Sequence, residues 1–314
     1  TFFPVRRSSV LGVGNNLERS SRHFQFSSTD FTQHTKNLNL VAELKTKFSN
    51  NLSNQFNASY INVHEYRDFL GVLSPVMDIG SGAIWAGTWR EASIYNMKQK
   101  TFELSDNVTL TSGINKFTFV THNEFYHLTY GFINSWNGRW EYSNVNNFLN
   151  DKPSRIRGAF TTDPKYPNDR TALYNNPPNP FTVALLSAYA QDEITVSPTF
   201  KVTPGLRIDY SAIGQQPSTD PALNSVPDNN SSSPTFSNTS FSQLNNKWLG
   251  KATLSPRIGF NWDINGDQSI VLRGGTGVFV GRMPFAWLGY AYTLNGSVYG
   301  NIDYRPASGT AVPL

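Results

Sequence analysis

The segment "LSPRIGFNWDINGDQSIVLRGGTGVFVGR", Leu254–Arg282, supports two incompatible interpretations, a nucleotide-binding loop or a β-hairpin, and each implies a different fold. Its second half places Gly275, Gly277 and Gly281 in the spacing G-x-G-x-x-x-G, one residue longer than the dinucleotide fingerprint. That fingerprint needs a strand before the glycines and a helix after them. Here the glycines follow a turn, lie in an alternating segment, and precede no helical pattern. The sequence therefore predicts two strands joined by "INGDQ", and the glycines are expected where a strand needs a small side chain.

Alternation of apolar and polar residues separates two faces in the strongest segments. In Leu254–Ile264 every second residue from Leu254 is apolar, and the residues between them are polar or glycine. Phe200–Tyr210 has the same pattern. In a membrane barrel the polar face would line the lumen, where opposite charges compensate each other. The residues that we expect to face the lumen are Lys201, Arg207, Asp209, Arg257, Asn261 and Arg273.

The same strand–turn–strand unit occurs four times, with turns containing Ser-Asn, Ser-Gly, Ser-Pro and Asn-Gly. The predicted hairpins are Lys36–Phe48 with Gln55–Tyr66, Lys100–Thr111 with Lys116–Phe132, Thr182–Val196 with Phe200–Tyr210, and Lys251–Asp263 with Ser269–Arg282. Long connections, expected to lack regular structure, join them over about Arg67–Met97, Ile133–Phe181 and Ser211–Gly250. Short turns at one end and long loops at the other are typical of outer-membrane barrels. We therefore predict an all-β fold, an antiparallel transmembrane β-barrel segment of about eight strands; the family resemblance described below implies that it is part of a larger barrel.

Composition agrees with a barrel and excludes several other classes. Charged residues make up 15% of the 314 residues, against about 25% in soluble domains. No cysteine is present, which excludes a disulfide scaffold, a thiolate metal site and a cysteine nucleophile. The net charge of +4 comes from scattered residues, so no nucleic-acid partner is expected. No apolar run is long enough for a transmembrane helix.

Two consecutive hairpins carry motifs of a known family. "YAQDEITVSPTFKVTPGLRIDY", Tyr189–Tyr210, resembles a hairpin of TonB-dependent outer-membrane receptors, which reads Y-x-Q-D, a turn, then G-L-R-x-D/E. Leu254–Pro284 resembles the next hairpin, with S-P-R-x-G-x, a turn, and R-x-G-x-G-x-F. "GINKFTFVTHNEFYHLTYGFIN", Gly113–Asn134, is similar to the Oar-like branch, whose members are common in Bacteroidota. The resemblance covers roughly Leu38–Pro284.

The resemblance implies a plugged barrel of 22 strands that imports metal chelates, oligosaccharides or peptides. The implied partners are outer-membrane lipid, a TonB-type energy-coupling protein that grips a segment before the plug, and a surface lipoprotein. The implied location is the outer membrane of a Gram-negative cell. The sequence shows neither plug nor TonB box, so residues 1–314 are expected to be one partial barrel domain, without the plug and without the C-terminal strands.

Several residues of the long connections are candidates for contact with a ligand. Tryptophan rings stack on sugars and planar chelates, and neighbouring charged groups add polar contacts. The alternative is that these rings form the aromatic girdle or pack within the loops themselves. The candidate ligand-facing residues are Trp85, Trp89, Arg90, Trp136 and Trp140.

Neither a metal site nor catalysis is expected from the sequence. On a strand, His122 and Glu124 share a face whereas His127 points the other way, which is poor geometry for a metal. No G-x-S-x-G elbow occurs, and no acid–base pair is evident. We expect no cofactor, no metal and no enzymatic activity. A passive porin-like or adhesive barrel, and a soluble β-sandwich that binds carbohydrate, remain the alternatives.

Overall fold

The computed structural model describes the backbone of residues 6–14 and the residues 23–214, 250–293, 296 and 298–305. Most of the third long connection, with its low-complexity segment, lies outside the described residues. In chain order the strands are β1 (Arg6–Gly14), β2 (Phe24–Gln25), β3 (Phe31–Lys47), β4 (Leu52–Phe69), β5 (Val76–Ile79), β6 (Ile84–Ala86), β7 (Ile94–Ser112), β8 (Asn115–Ile133), β9 (Arg139–Tyr142), β10 (Arg155–Thr161), β11 (Phe181–Ser197), β12 (Phe200–Ile213), β13 (Ala252–Asp263), β14 (Val271–Gly277) and β15 (Tyr299–Tyr304). The helices are α1 (Val145–Leu149), α2 (Arg170–Asn175) and α3 (Phe285–Thr293).

Nine strands form one antiparallel main sheet in the order β1-β3-β4-β7-β8-β11-β12-β13-β14. The four predicted hairpins are its β3–β4, β7–β8, β11–β12 and β13–β14 pairs. Strand β1, which the sequence analysis did not predict, adds one edge by pairing with β3. Strands β3, β4, β7 and β8 extend further toward the long connections than predicted. At 17 to 19 residues, they exceed the 9–11 tilted residues that cross a bilayer.

The short turns owe their geometry to a few residues. In the β7–β8 turn Gly113 has φ +59°, a backbone conformation that costs glycine little. In the β13–β14 turn Gly266 has φ +76°. There the Asp263 carboxylate accepts hydrogen bonds from the backbone N–H groups of Gly266 and Gln268, each at 3.0 Å. In these two turns, local residues therefore supply the backbone geometry that reverses the chain.

Two sequence-based predictions were wrong. The first concerns the segment after the β13–β14 turn, where strand β14 ends at Gly277 rather than Arg282 and helix α3 begins at Phe285 although no helical pattern was evident. The second error concerns the long connections, which were expected to lack regular structure. The connection after β4 contains β5 and β6, and the one after β8 contains β9, α1, β10 and α2.

Paired residues in a sheet point to the same side, so the register separates the main sheet into two faces. Asn261 pairs with Lys201 and with Arg273, and Arg207 pairs with Ser255. We call the face that carries these residues the polar face, and the opposite side the apolar face. Large apolar side chains are exposed on the apolar face: Leu44, Phe56, Phe102, Phe119, Phe125, Leu206, Ile208, Leu254, Ile258, Phe260 and Trp262.

The long connections form a second sheet, which we call the cap sheet, of order β15-β10-β9-β5-β6-β2. Its strands come from both described connections, from the segment before β3 and from the segment after α3. Strand β5 pairs in parallel with β9, which joins the first connection to the second. Because these strands leave the main sheet at the end opposite the short turns, the cap sheet lies at the long-connection end.

Helix α3 packs on the polar face against β8 and β11. Leu288 and Tyr292 are 3% and 2% exposed and lie with Tyr126, Leu128, Tyr130, Phe181 and Val183. The rings of Phe181 and Tyr292 stack with centroids 4.6 Å apart. Burying side chains of this size contributes about 1.5–3 kcal/mol each. None of the described helices is long and apolar enough to cross a membrane.

Candidate functional site

The six residues predicted to face the lumen share the polar face with helix α3. Lys201 and Asn261 are direct neighbours, as are Asn261 and Arg273. Lys201 pairs with Glu193 at 2.8 Å. Arg207 donates from Nε to Asp209 at 2.9 Å and from Nη2 to the Ser187 hydroxyl at 2.9 Å. Lys201 and Arg207 are therefore each compensated by a carboxylate within hydrogen-bond distance. That this face lines a lumen stays a prediction.

The Arg257 guanidinium contacts rings rather than a carboxylate. Its carbon lies 4.8 Å from the Tyr189 ring centroid and 5.6 Å from that of Phe279. Contacts of this kind keep a cation close to an aromatic surface at low cost in solvation. The tyrosine of the Y-x-Q-D motif and the arginine of the S-P-R motif therefore meet across two hairpins, which the linear sequence does not reveal.

A cavity of about 350 Å³ lies on the polar face below helix α3. One part of its wall is apolar, with Val183, Leu185 and Leu288. The other part carries the ionisable groups that converge on the cavity: His122, Glu124, Arg207, Asp209, Lys251 and Arg282. An apolar wall with a few convergent polar groups is the usual form of a ligand site.

Glu124 is the centre of the polar part of this cavity. It is 7% exposed, and its carboxylate accepts hydrogen bonds from the Arg282 guanidinium and the Tyr126 hydroxyl. His122 Nε2 lies 2.9 Å from Glu124 and 3.4 Å from Glu103. A buried carboxylate needs such partners, because an unpaired buried charge is costly. The contact with Arg282 fastens the segment between β14 and α3 to β8.

The histidine spacing that suggested a metal trio does not assemble one. His122 and Glu124 lie on the polar face, as their spacing predicted, whereas His127 pairs with Thr182 on the apolar face. In the part of the chain that the structure describes, no group of three or more His, Cys, Asp or Glu residues could hold a metal ion. Sequence reasoning named Glu124 but missed Arg282, because 158 residues separate the two and no local motif connects them.

The candidate ligand-facing residues divide between separate parts of the long-connection end. Trp85 and Trp89 contact each other with ring centroids 4.6 Å apart, and Arg90 lies beside Trp89 at 5.5 Å. Trp140 lies on β9, two strands from β6 in the cap sheet. Trp136 packs elsewhere, against the buried cluster around Ile94, Ile133 and Leu173. All five side chains are half-buried, and contact with a ligand stays a prediction for each.

An ion-pair network around Arg139 connects strands β5 and β9 of the cap sheet next to the Trp85 ring. The Arg139 guanidinium, 5.2 Å from the Trp85 ring, donates to Asp78 at 2.6 Å and lies 3.2 Å from Glu141. Tyr142 donates to Asp151 at 3.2 Å, and burial together with that carboxylate raises the pKa of Tyr142 to about 12. Tyr142 therefore stays a neutral hydrogen-bond donor at physiological pH. This network was not predictable from the sequence, because Asp78 and Arg139 belong to different connections.

A strand wall with one apolar and one charged face, short turns at one end and folded connections at the other, defines a membrane β-barrel. A family model described as an outer membrane beta barrel domain matches residues 4–313. The chain therefore belongs to the outer membrane β-barrel domain family, and the protein resides in the cell outer membrane.

Among solved structures, the outer membrane transporter YddB from Escherichia coli is similar over 87% of this chain, at 12% sequence identity and a TM-score of 0.46. The chain spans 28% of the length of that transporter. No curated protein matches this chain.

Proposed function

We propose that this chain is part of an active outer-membrane transporter that captures a ligand at its long connections and imports it through the barrel. The observation that carries the proposal is the asymmetry of the wall. Charged and polar side chains, some of them in ion pairs, occupy one face, apolar side chains occupy the other, and the connections at one end fold into an aromatic and charged cap sheet. Ligand capture outside and passage along a polar inner face require this arrangement.

Helix α3 favours an actively opened barrel over a passive porin. A porin leaves an open aqueous channel, whereas here α3 covers the polar face of β8 and β11 near the long-connection end. The Arg282–Glu124 contact fastens the segment that leads to this helix. In this proposal the covering segment is displaced when the ligand passes, and the energy-coupling partner drives the displacement.

Coupling to a TonB-type protein of the inner membrane is proposed from the two hairpin motifs at Tyr189–Tyr210 and Leu254–Pro284. In the family that these motifs resemble, the coupling protein acts on the N-terminal region before the plug. A surface lipoprotein is proposed as a further partner at the cap sheet. The ligand is proposed to be a small chelate, a glycan or a peptide, and the protein is proposed to be a transporter without enzymatic activity.

The direct test is uptake by cells that carry the full-length protein. Labelled chelates, glycans and peptides are supplied to cells with an intact or a deleted energy-coupling protein, and to cells that lack the transporter. We expect uptake of at least one ligand to require both the transporter and the coupling protein. Uptake that requires the transporter but survives deletion of the coupling protein would establish a passive barrel instead.

A further inference from the structure

Three lysines lie side by side on the apolar face, at the level where its large apolar side chains end. In the strand register, Lys36 on β3 lies opposite His64 on β4, and His64 lies opposite Lys98 on β7. Lys100 lies two residues further along β7, opposite His127 on β8. Steps of two residues keep side chains on one face, so these five residues form one group, which we call the basic cluster.

The basic cluster lies at the outer boundary of the apolar band. On β7 this band runs from Phe102 to Leu110; Asp106 interrupts it and accepts a hydrogen bond from Asn54. At about 3.4 Å per residue the band is about 27 Å long along the strand. A tilt of about 40° reduces its height to about 20 Å, close to the ~25 Å band of outer-membrane barrels. Lys100 comes just before Phe102, on the side of the long connections.

The positive charge of the basic cluster is not neutralised by the protein. Within the described residues, the lysines that form ion pairs are Lys45 and Lys201, and neither belongs to the cluster. On the same face, the carboxylate of Asp68 pairs with His34 at 3.0 Å. Lys36 and Lys100 are exposed, and the Lys36 ammonium lies 5.2 Å from the Tyr66 ring centroid. Three cations without carboxylate partners at a membrane boundary are available to anions from outside the chain.

We propose that the basic cluster binds the phosphate groups of a phosphorylated glycolipid in the outer leaflet. The occupant is a lipid rather than a free phosphate because apolar side chains adjoin the cluster on its membrane side. Phe102 and Phe125, paired across β7 and β8, are 46% and 43% exposed and lie next to Lys100 and His127. Acyl chains pack on these rings while the ammonium groups contact the phosphates above them.

The test uses the full-length protein in detergent and measures binding of diphosphoryl lipid A by native mass spectrometry. The variant K36Q/K98Q/K100Q removes the three charges. The control variant K47Q/K116Q/K152Q removes three lysines that lie outside the cluster. A lysine near an anionic membrane surface contributes about 1 kcal/mol, roughly fivefold in affinity, so the cluster variant is expected to bind on the order of 100-fold more weakly. The control variant is expected to bind within about threefold of the unaltered protein.

Two further binding measurements distinguish a lipid phosphate from a free phosphate ion. Monophosphoryl lipid A is expected to bind more weakly than the diphosphoryl form to the unaltered protein, and millimolar inorganic phosphate is expected not to compete. Equal losses in the cluster and control variants would overturn the proposal, since they indicate general electrostatics. Full competition by inorganic phosphate would also overturn it and would assign a free-anion site.

Discussion

At the scale of single residues, the glycines of Leu254–Arg282 differ in what surrounds them. A Cβ on Gly275 would lie 2.8 Å from the Ile258 carbonyl oxygen, and one on Gly277 would lie 2.8 Å from the Arg257 Cβ. A Cβ on Gly281 would meet nothing within 4 Å. The first two glycines therefore permit close pairing of β14 with β13, whereas Gly281 lies beyond the strand.

Replacing Gly275 with alanine should destabilise the β13–β14 pair by about 1–3 kcal/mol, because the added methyl group displaces backbone atoms. Gly281→Ala is the matched control and should change stability by less than about 0.5 kcal/mol. The measurement is the urea midpoint of the full-length protein in lipid. Equal midpoints for the two variants would show that β14 does not pair closely with β13.

Glu124→Gln keeps the shape of the side chain but removes the charge that holds Arg282. We expect the 278–293 segment to lose about 1–3 kcal/mol of local stability, because the buried contacts of Glu124 are charge-assisted. The measurement is the rate of limited proteolysis in this segment. Glu43→Gln, which removes a carboxylate paired with Lys45 on the same face, is the control and should leave that rate unchanged. Similar rates for both variants would contradict a fastening role for Glu124.

At the scale of elements, alternation predicted the hairpins well because each strand carries its own two-faced pattern and each turn its own Asn, Gly or Pro. It failed where structure depends on distant partners. Strand β5 is four residues long and pairs with β9, about sixty residues later, and so short a segment has no periodicity to detect. Helix α3 has the sequence "FAWLGYAYT" and is apolar on most sides. Neither the 3.6-residue period of an amphipathic helix nor the two-residue period of a strand was therefore visible. The candidate site was predictable to the level of which face a residue occupies, but not to the level of contacts such as Glu124 with Arg282.

The cap sheet should depend on the buried ion pair that joins β5 to β9. Arg139→Ala leaves the Asp78 carboxylate, 5% exposed, without its partner, and breaking a buried pair in this way costs about 3–5 kcal/mol. Hydrogen exchange in β5, β6 and β9 should become faster by orders of magnitude. Arg155→Ala, which removes a more exposed pair with Asp303, should change exchange little. Unchanged exchange in the Arg139 variant would mean that β5 and β9 are held together by other contacts.

At the scale of the whole molecule, the main sheet ends in two edge strands, β1 and β14. Unpaired backbone groups at a sheet edge are not tolerated in the hydrocarbon region, so in the membrane both edges must be paired, as they are when the sheet is part of a larger barrel. The strand lengths and the height of the apolar band fit a bilayer, and the cap sheet lies at the long-connection end; that the short turns are on the periplasmic side stays a prediction. The sequence predicted this orientation from loop lengths alone, because loop asymmetry is a property of the whole chain.

The most direct test of the membrane wall uses the absence of cysteine from these 314 residues, with any cysteine elsewhere in the full-length protein replaced by serine. Single cysteines at positions 206, 207, 208 and 209 of the full-length protein, each carrying a spin label, are measured in lipid for collision with oxygen and with a water-soluble nickel complex. We predict that labels at 206 and 208 collide mainly with oxygen, and labels at 207 and 209 mainly with the nickel complex. Equal access of the nickel complex to all four labels would contradict a wall between lipid and lumen.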